Sequence, residues 1–261
     1  MKSYVITGAS SGIGKALAEM LQKEGNRVFN IDLKNGDFNG DLSSPAGRAA
    51  AVEAVHAAFP DGLDGLVCCA GVPGTCPSVK LIMSLNFYGA AAIAEGCFDL
   101  LKKKKGHCVL ISTFALAEGF PMPQAILKLA ANPGSEEAVL KLIDETQPAP
   151  KGEVMYNVAK YCLTLWMRRH APMWGAGGVH INCVAPGTTN TAMVAGLTEK
   201  ATAMLSALPM PTKYPAVPML EAGEVANVIR FLLMPESSAI HGSLIFADGG
   251  ADTVLNTERV Y

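Results

Sequence analysis

Short apolar runs alternate with longer stretches of helical periodicity along the whole chain. Strand-like runs fall at 3–7, 27–32, near 37–41, 64–69, 107–112, 179–184 and 243–247. Between them, apolar residues recur with helical spacing over 12–25, 45–58, 80–104, 154–174 and 222–234. Runs that are apolar at nearly every position suit strands buried on both faces, which is the environment of a parallel sheet sandwiched by helices. The alternation therefore predicts an α/β fold: one doubly wound domain over residues 1–261, with a seven-stranded parallel sheet and helices on both faces. No internal repeat and no low-complexity linker divides it.

Two segments break the rhythm. The first, an insert at about 114–152, contains Pro121, Pro123, Pro133, Gly134, Pro148, Pro150 and Gly152. Within it, Ser135 to Asp144 has the pattern of a short capped helix. A connection this long in a compact domain points to a functional or interface role. The second, at about 188–221, holds Met193, Leu197, Met204, Leu205, Met210, Met219 and several prolines. It is expected to form an apolar, adaptable lid, although the same residues would also serve as simple packing.

Composition narrows the function classes. Lys plus Arg is 21 and Asp plus Glu is 23, a formal charge of −2. That balance gives no electrostatic reason to expect nucleic acid or an anionic membrane as a partner. The basic run Lys102 to Lys105 precedes Gly106 and fits a helix C-terminus, where cations complement the dipole. No apolar run is long enough to span a bilayer, and Met1-Lys2 leads straight into a strand without a signal-peptide pattern. The seven cysteines form no Cys-x-x-Cys pair, which predicts reduced thiols in a cytoplasmic protein. The five histidines show no ligand spacing, so no metal site is expected.

Candidate chemistry sits at two places. After the first strand comes Gly8-Ala-Ser-Ser11-Gly12-Ile13-Gly14, opening the first helix. Glycine there lets the backbone approach a diphosphate, and a helix N-terminus favours negative charge. The second strand ends in Asp32, whose carboxylate can accept from both ribose hydroxyls and repels a 2′-phosphate. This favours NAD over NADP, with Lys34 close enough to keep NADP as the alternative. Far along the chain, Tyr156 and Lys160 are four residues apart on a helical stretch and so share one face. A free phenol titrates near 10, and a neighbouring ammonium together with a positive nicotinamide ring would lower that value towards the working range of an acid–base catalyst.

These residues resemble the short-chain dehydrogenase/reductase family over essentially the full length, which implies a Rossmann fold and hydride transfer with NAD. On that resemblance, Gly8, Ser11, Gly12, Ile13 and Gly14 match the cofactor loop. Asp41 and Leu42 match the adenine-contacting Asp and its apolar neighbour. Cys69-Ala70-Gly71 stands where the family has Asn-Ala-Gly, and the change to Cys puts a strand-stabilising hydrogen bond in question. Asn86 matches the helix Asn of the proton relay, ordering a water that links Lys160 to solvent. Tyr156 and Lys160 match Tyr-x-x-x-Lys, and both also contact the nicotinamide ribose. Pro186, Gly187, Thr189 and Thr191 match the segment that grips the carboxamide, and Asp248-Gly-Gly250 matches the last strand's ending. The catalytic hydroxyl lies in Ile111-Ser112-Thr113; register favours Thr113, with Ser112 as the alternative, because neighbouring strand residues face opposite ways.

Within the family, Leu63 to Gly71, Ile240 to Gly250 and the long insert before Tyr156 resemble the bacterial 3α-hydroxysteroid dehydrogenase/carbonyl reductase branch. The resemblance implies a steroid or bile acid as substrate, most directly at its 3α-hydroxyl. It also implies a homodimer, the insert blocking the tetramer common elsewhere, with a homotetramer as the alternative. Competing expectations are a 3β-, 7- or 12-hydroxysteroid or aryl-alcohol dehydrogenase, and a non-catalytic NAD-binding sensor.

Overall fold

The computed structural model describes residues 1–119, 121–195, 210–213 and 219–259. Seven strands form one parallel sheet: β1 (Ser3–Thr7), β2 (Arg27–Asp32), β3 (Phe38–Asn39), β4 (Gly65–Cys68), β5 (His107–Ile111), β6 (His180–Pro186) and β9 (Leu244–Ala247). Their spatial order is β3-β2-β1-β4-β5-β6-β9, with every pairing parallel. The chain winds outward from β1 in one direction, then returns to place β4 on its other side. That reversal opens a crevice at the carboxyl ends of β1 and β4, where ligands bind in folds of this kind. Two further residue pairs, β7 (Thr189–Asn190) and β8 (Leu220–Glu221), make a small separate ladder.

The strand period of two sends alternate residues to opposite helical layers. Val5, Leu66, Cys68, Cys108 and Leu110 face one buried cluster, shared with α2 (Pro45–Ala58), α4 (Ala90–Gly96) and α8 (Gly152–Ala176). Tyr4, Ile6, Val67 and Val109 face the other, shared with α1 (Gly12–Lys23) and the helix Ala222–Leu232. Leu17 and Leu21 of α1 and Ile229 opposite them are wholly buried, each contributing roughly 1.5–3 kcal/mol of transfer free energy. Helix starts follow local chemistry. Ser44 accepts from Gly47 N–H with Pro45 in the first turn, and Glu221 with Glu224 forms a reciprocal capping box.

Two expectations need correction, and a third lies largely outside the described residues. The helix expected over 80–104 is a relay of four: α3 (Val79–Met83), a π-helical turn (Ser84–Gly89), α4 and α5 (Phe98–Lys104). The π-turn carries Asn86, whose side chain is committed outside the helix, as described below. The insert is more ordered than its prolines suggest. A 3₁₀ turn (Phe114–Glu118) leads to α6 (Gln124–Ala130), a second 3₁₀ turn (Pro133–Ser135) and α7 (Glu136–Glu145). Ser135 does not cap α7; its hydroxyl instead donates back to the carbonyls of Leu129 and Asn132. Of the expected lid, Leu197, Met204 and Leu205 lie outside the described residues, whereas Met210 is buried against Gly249.

Among the described residues, no single helix is long and apolar enough to cross a membrane. The bent pair Val79–Gly96 and Phe98–Lys104 passes on length and composition together, but it breaks by 48° and supplies Ile82, Met83, Phe87, Ile93 and Leu101 to the core. All seven cysteines are free thiols.

Candidate active site

The glycine loop is shaped by close approach. Gly8 has φ 74°, and a Cβ there would sit 2.8 Å from Ala70 Cα. At Gly14 a Cβ would come within hard contact of the Gly8 carbonyl, so only a glycine lets the loop fold back on itself. Gly12 lies under the Thr191 methyl, which joins the loop to the segment after β6. Ser11 occupies the N-cap of α1 without a side-chain bond, and no acidic residue stands in the first turn with Ile13. The first-turn N–H groups are thus unopposed by the chain's own anions, the environment that a diphosphate needs.

The end of β2 holds the loop from the other side. Asp32 accepts Ser10 N–H at 3.0 Å on one oxygen and Leu33 N–H at 2.8 Å on the other. Each oxygen keeps a further lone pair for a ribose hydroxyl. Asn30, which sequence reasoning passed over, accepts Ala9 N–H at 3.0 Å and donates to the Ser10 hydroxyl at 2.9 Å. Asp41 is exposed and accepts from Ser43 N–H and its hydroxyl, while Leu42 is buried. After β4, Cys69 N–H donates to the Thr7 carbonyl and Ala70 N–H to the Thr7 hydroxyl, both at 3.1 Å. Thr7 therefore secures the strand end that the change from Asn to Cys left in question. In the sequence Thr7 is marked only as the first residue of the glycine-rich stretch, with no sign of this bond.

Asn86 explains the π-turn. Its amide donates to the Val72 carbonyl at 2.9 Å and accepts Val72 N–H at 2.8 Å. A Cβ on Gly71 would lie 3.0 Å from Asn86 Oδ1 and 4.0 Å from Lys160 Nζ. Holding this loop requires the helix to present Asn86 inward, which the wider π-turn achieves; such turns recur at functional sites.

Tyr156 and Lys160 stand on α8. Lys160 is buried and donates to the Ile111 carbonyl at 2.6 Å; its Nζ lies 5.8 Å from the Tyr156 ring centroid. Burial pushes the Lys160 ammonium down to about 8. Thr113 stands beside Tyr156, where its hydroxyl favours the phenolate, and accepts Ala115 N–H at 3.2 Å. Ser112 points the other way: it is fully buried, with its hydroxyl 2.8 Å from that of Thr164. Strand alternation thus puts Thr113, and not Ser112, beside the tyrosine. Thr164, unmarked in the sequence, also donates to the Lys160 carbonyl at 2.9 Å. In the chain alone, Lys160 is not among the groups that shift the phenol. Burial raises Tyr156 above its ordinary value, and the opposing influence comes from Thr113.

At the end of β6, Pro186 and Gly187 run against the end of β9, where a Cβ on Gly187 would sit 2.8 Å from Asp248 Cα. Buried Asp248 accepts from Gly250 N–H and Asp252 N–H, and so locks that turn. Thr189 donates to the Gly187 carbonyl at 2.8 Å. Among the described residues, no group of three or more His, Cys, Asp and Glu side chains is placed to hold a metal.

A glycine cradle at the sheet's switch point, with a tyrosine, lysine and threonine converging beside it, is the arrangement of a nicotinamide-dependent oxidoreductase. The family comparison agrees. The sequence model described as short chain dehydrogenase matches residues 2–125, and that described as Enoyl-(Acyl carrier protein) reductase matches 120–252. The chain belongs to the short-chain dehydrogenase/reductase family. It is 35% identical to a 3-alpha-hydroxysteroid dehydrogenase/carbonyl reductase of Comamonas testosteroni, over 98% of each chain. It is 30% identical to a coniferyl-alcohol dehydrogenase of a Pseudomonas species, over 95% of this chain and 96% of that one. The crystal structure of a 3-alpha-hydroxysteroid dehydrogenase from Pseudomonas sp. B-0831, complexed with NADH, superposes with a TM-score of 0.88 at 33% identity. That match covers 99% of this chain and 100% of the other.

Proposed function

We propose that this protein is an NAD(H)-dependent hydroxysteroid dehydrogenase that reversibly oxidises a secondary alcohol to a ketone, with the 3α-hydroxyl of a steroid or bile acid as its substrate. The observation that carries the reaction class is the convergence of Thr113, Tyr156 and Lys160 beside the glycine loop. The steroid assignment is supported by the full-length similarity to two 3-alpha-hydroxysteroid dehydrogenases, one of them complexed with NADH.

In this reading Gly8, Ser11, Gly12, Ile13 and Gly14 hold the diphosphate, and Asp32 the adenosine ribose. Asp41, Leu42, Cys69, Ala70 and Gly71 line the adenosine side. Pro186, Gly187, Thr189 and Thr191 line the nicotinamide side, and Lys160 with Tyr156 takes the second ribose. Bound NAD supplies the hydride acceptor and a positive ring. Tyr156 takes the alcohol proton during oxidation and returns one during reduction. Thr113 orients that phenol and hydrogen-bonds the substrate oxygen. Lys160 supplies a cation to the phenolate, and its value near 8 leaves it mostly charged at neutral pH. Asn86 keeps the turn beside Lys160 in place, with a water ordered there to carry protons to solvent.

Aryl-alcohol oxidation is the second reading, favoured by the match to a coniferyl-alcohol dehydrogenase. The test is NADH absorbance at saturating NAD with 3α-, 3β-, 7- and 12-hydroxysteroids and aryl alcohols, with the product's position and stereochemistry identified. The proposal expects the highest kcat/KM with a 3α-hydroxysteroid. A preference for aryl alcohols would replace it, and silence across the panel with NAD bound would favour a sensor. We further propose a homodimer in the cytoplasm, to be checked by sedimentation and fractionation; a tetramer would refute the dimer.

A further inference from the structure

Arg48 makes contacts that neither the fold nor the proposed reaction requires. It is an α2 residue, buried to 6% exposure, yet none of its side-chain hydrogen bonds is to α2 itself. Its Nε donates to the Leu42 carbonyl at 2.8 Å and its Nη2 to the Ser43 carbonyl at 2.8 Å. The same Nη2 donates to the Ser84 carbonyl, at the start of the π-turn, at 3.0 Å. The guanidinium then meets Glu136 of the insert as a fork, Nη1 to Oε2 at 2.6 Å and Nη2 to Oε1 at 2.7 Å. Three segments distant in sequence thus share one rigid cation: the loop at 41–43, the π-turn that presents Asn86, and the insert helix α7.

A planar guanidinium suits this task because its donors leave in fixed directions, so moving one acceptor disturbs the others. Glu136 fixes the plane from the insert side. If Glu136 loses its charge, the guanidinium stays buried with only neutral carbonyls, and its hold on Leu42, Ser43 and Ser84 loosens. The insert touches the π-turn a second time where the Tyr88 and Ser135 hydroxyls lie 3.2 Å apart. By contrast, the Lys80–Asp144 pair also ties the insert to the core, but it is largely exposed and reaches neither loop.

We infer that Arg48, fixed by Glu136, is a positioning residue through which the insert sets the shape of the adenosine end of the cofactor site. This deepens the functional proposal and rests on its assignment of Asp41 and Leu42 to the adenosine side. The insert then has a role within one subunit, beyond any effect on how subunits pack.

The experiment compares Glu136→Gln with Val139→Ala, which shortens a buried α7 side chain and keeps both partners of the Arg48–Glu136 pair. Calorimetric titration measures the Kd for NADH and for ADP-ribose, and steady-state kinetics separates KM for NAD from kcat. Glu136→Gln is expected to raise both Kd values and KM about tenfold, with a smaller fall in kcat, as for a modest coupling between sites. Val139→Ala should lower the melting temperature and leave both Kd values within twofold. Should Glu136→Gln not fold, Glu136→Asp keeps the charge one methylene short, and the same shift at smaller size is expected. A folded Glu136 variant that binds ADP-ribose like the wild type overturns the inference, as does an equal weakening in Val139→Ala. A wild type that binds neither NADH nor ADP-ribose would instead overturn the functional proposal beneath it.

Discussion

Replacing Thr113 and Ser112 separately should split activity from stability. Thr113→Val keeps the shape and deletes the hydroxyl that favours the Tyr156 phenolate. In the proposed mechanism that hydroxyl also meets the substrate oxygen. Losing one such oriented donor costs about 2.7–4 kcal/mol of transition-state stabilisation, or roughly 10²–10³ in kcat. The folding cost is smaller, about 1 kcal/mol, the size expected for losing the cap that Thr113 gives to Ala115 N–H. Ser112→Ala reverses the pattern. Its hydroxyl is buried against Thr164, so deleting it should cost about 1–3 kcal/mol of stability. Thr164 keeps its bond to the Lys160 carbonyl, so the helix bearing Tyr156 stays in place. Thermal melts and NADH absorbance under saturating substrate measure the two effects, and Thr113→Ser should restore most of the rate. A folded Ser112→Ala that loses as much activity as Thr113→Val would refute the assignment of the hydroxyl.

Three further outcomes are expected. Lys160 is held down to about 8 when folded and titrates near 10.5 when unfolded. The unfolded chain therefore binds more protons between those values, so wild-type stability relative to Lys160→Met should rise from about pH 8 to 10.5, by up to about 3 kcal/mol; denaturant titrations across that range check this. Burial, then His180, lowers His107, with Lys2 adding to the effect and the Leu232 carbonyl opposing it. Its stacked ring should be replaced at little cost by His107→Phe, and the wild type should lose stability relative to that variant as pH falls below 6.5, seen in melts from pH 7 to 4. At Gly152 a Cβ would overlap the Gly74 carbonyl, so Gly152→Ala must push the loop after β4 away from the start of α8; kcat should fall by about tenfold or more, since small misplacements beside the reacting groups are costly.

The sheet was legible because its strands are apolar on both faces and its glycine loop has one geometry open to it. The order of apolar runs predicts the parallel, doubly covered sheet but not its strand order, and spacing with resemblance singles out Tyr156, Lys160 and Asn86. The break in the helix over 80–104 was hidden, because nothing in the apolar period reports that Asn86 is spent on Val72. The cap expected at Ser135 was a local pattern overridden by nearer carbonyls of the preceding turn. α6 was missed because Pro121 and Pro123 read as loop, although they only set where the helix begins. Arg48, Asn30 and Thr164 carry long-range bonds to backbone or hydroxyl groups, and such partners leave no mark on local pattern. Four-residue spacing places Lys160 on the Tyr156 face but does not report how deeply the phenol is buried, which is what raises it in the chain alone.

The central claim is that Tyr156 moves the proton. Turnover of a 3α-hydroxysteroid by Tyr156→Phe, measured beside the Kd for NADH, tests it most directly. The ring and its packing survive in that variant, and only the hydroxyl is lost. The account predicts a fall in kcat of about 10²–10⁴, the range of acid–base contributions, with NADH bound within a few-fold of the wild type. Near-wild-type turnover with normal NADH binding would contradict it, whatever the fold and the glycine loop imply.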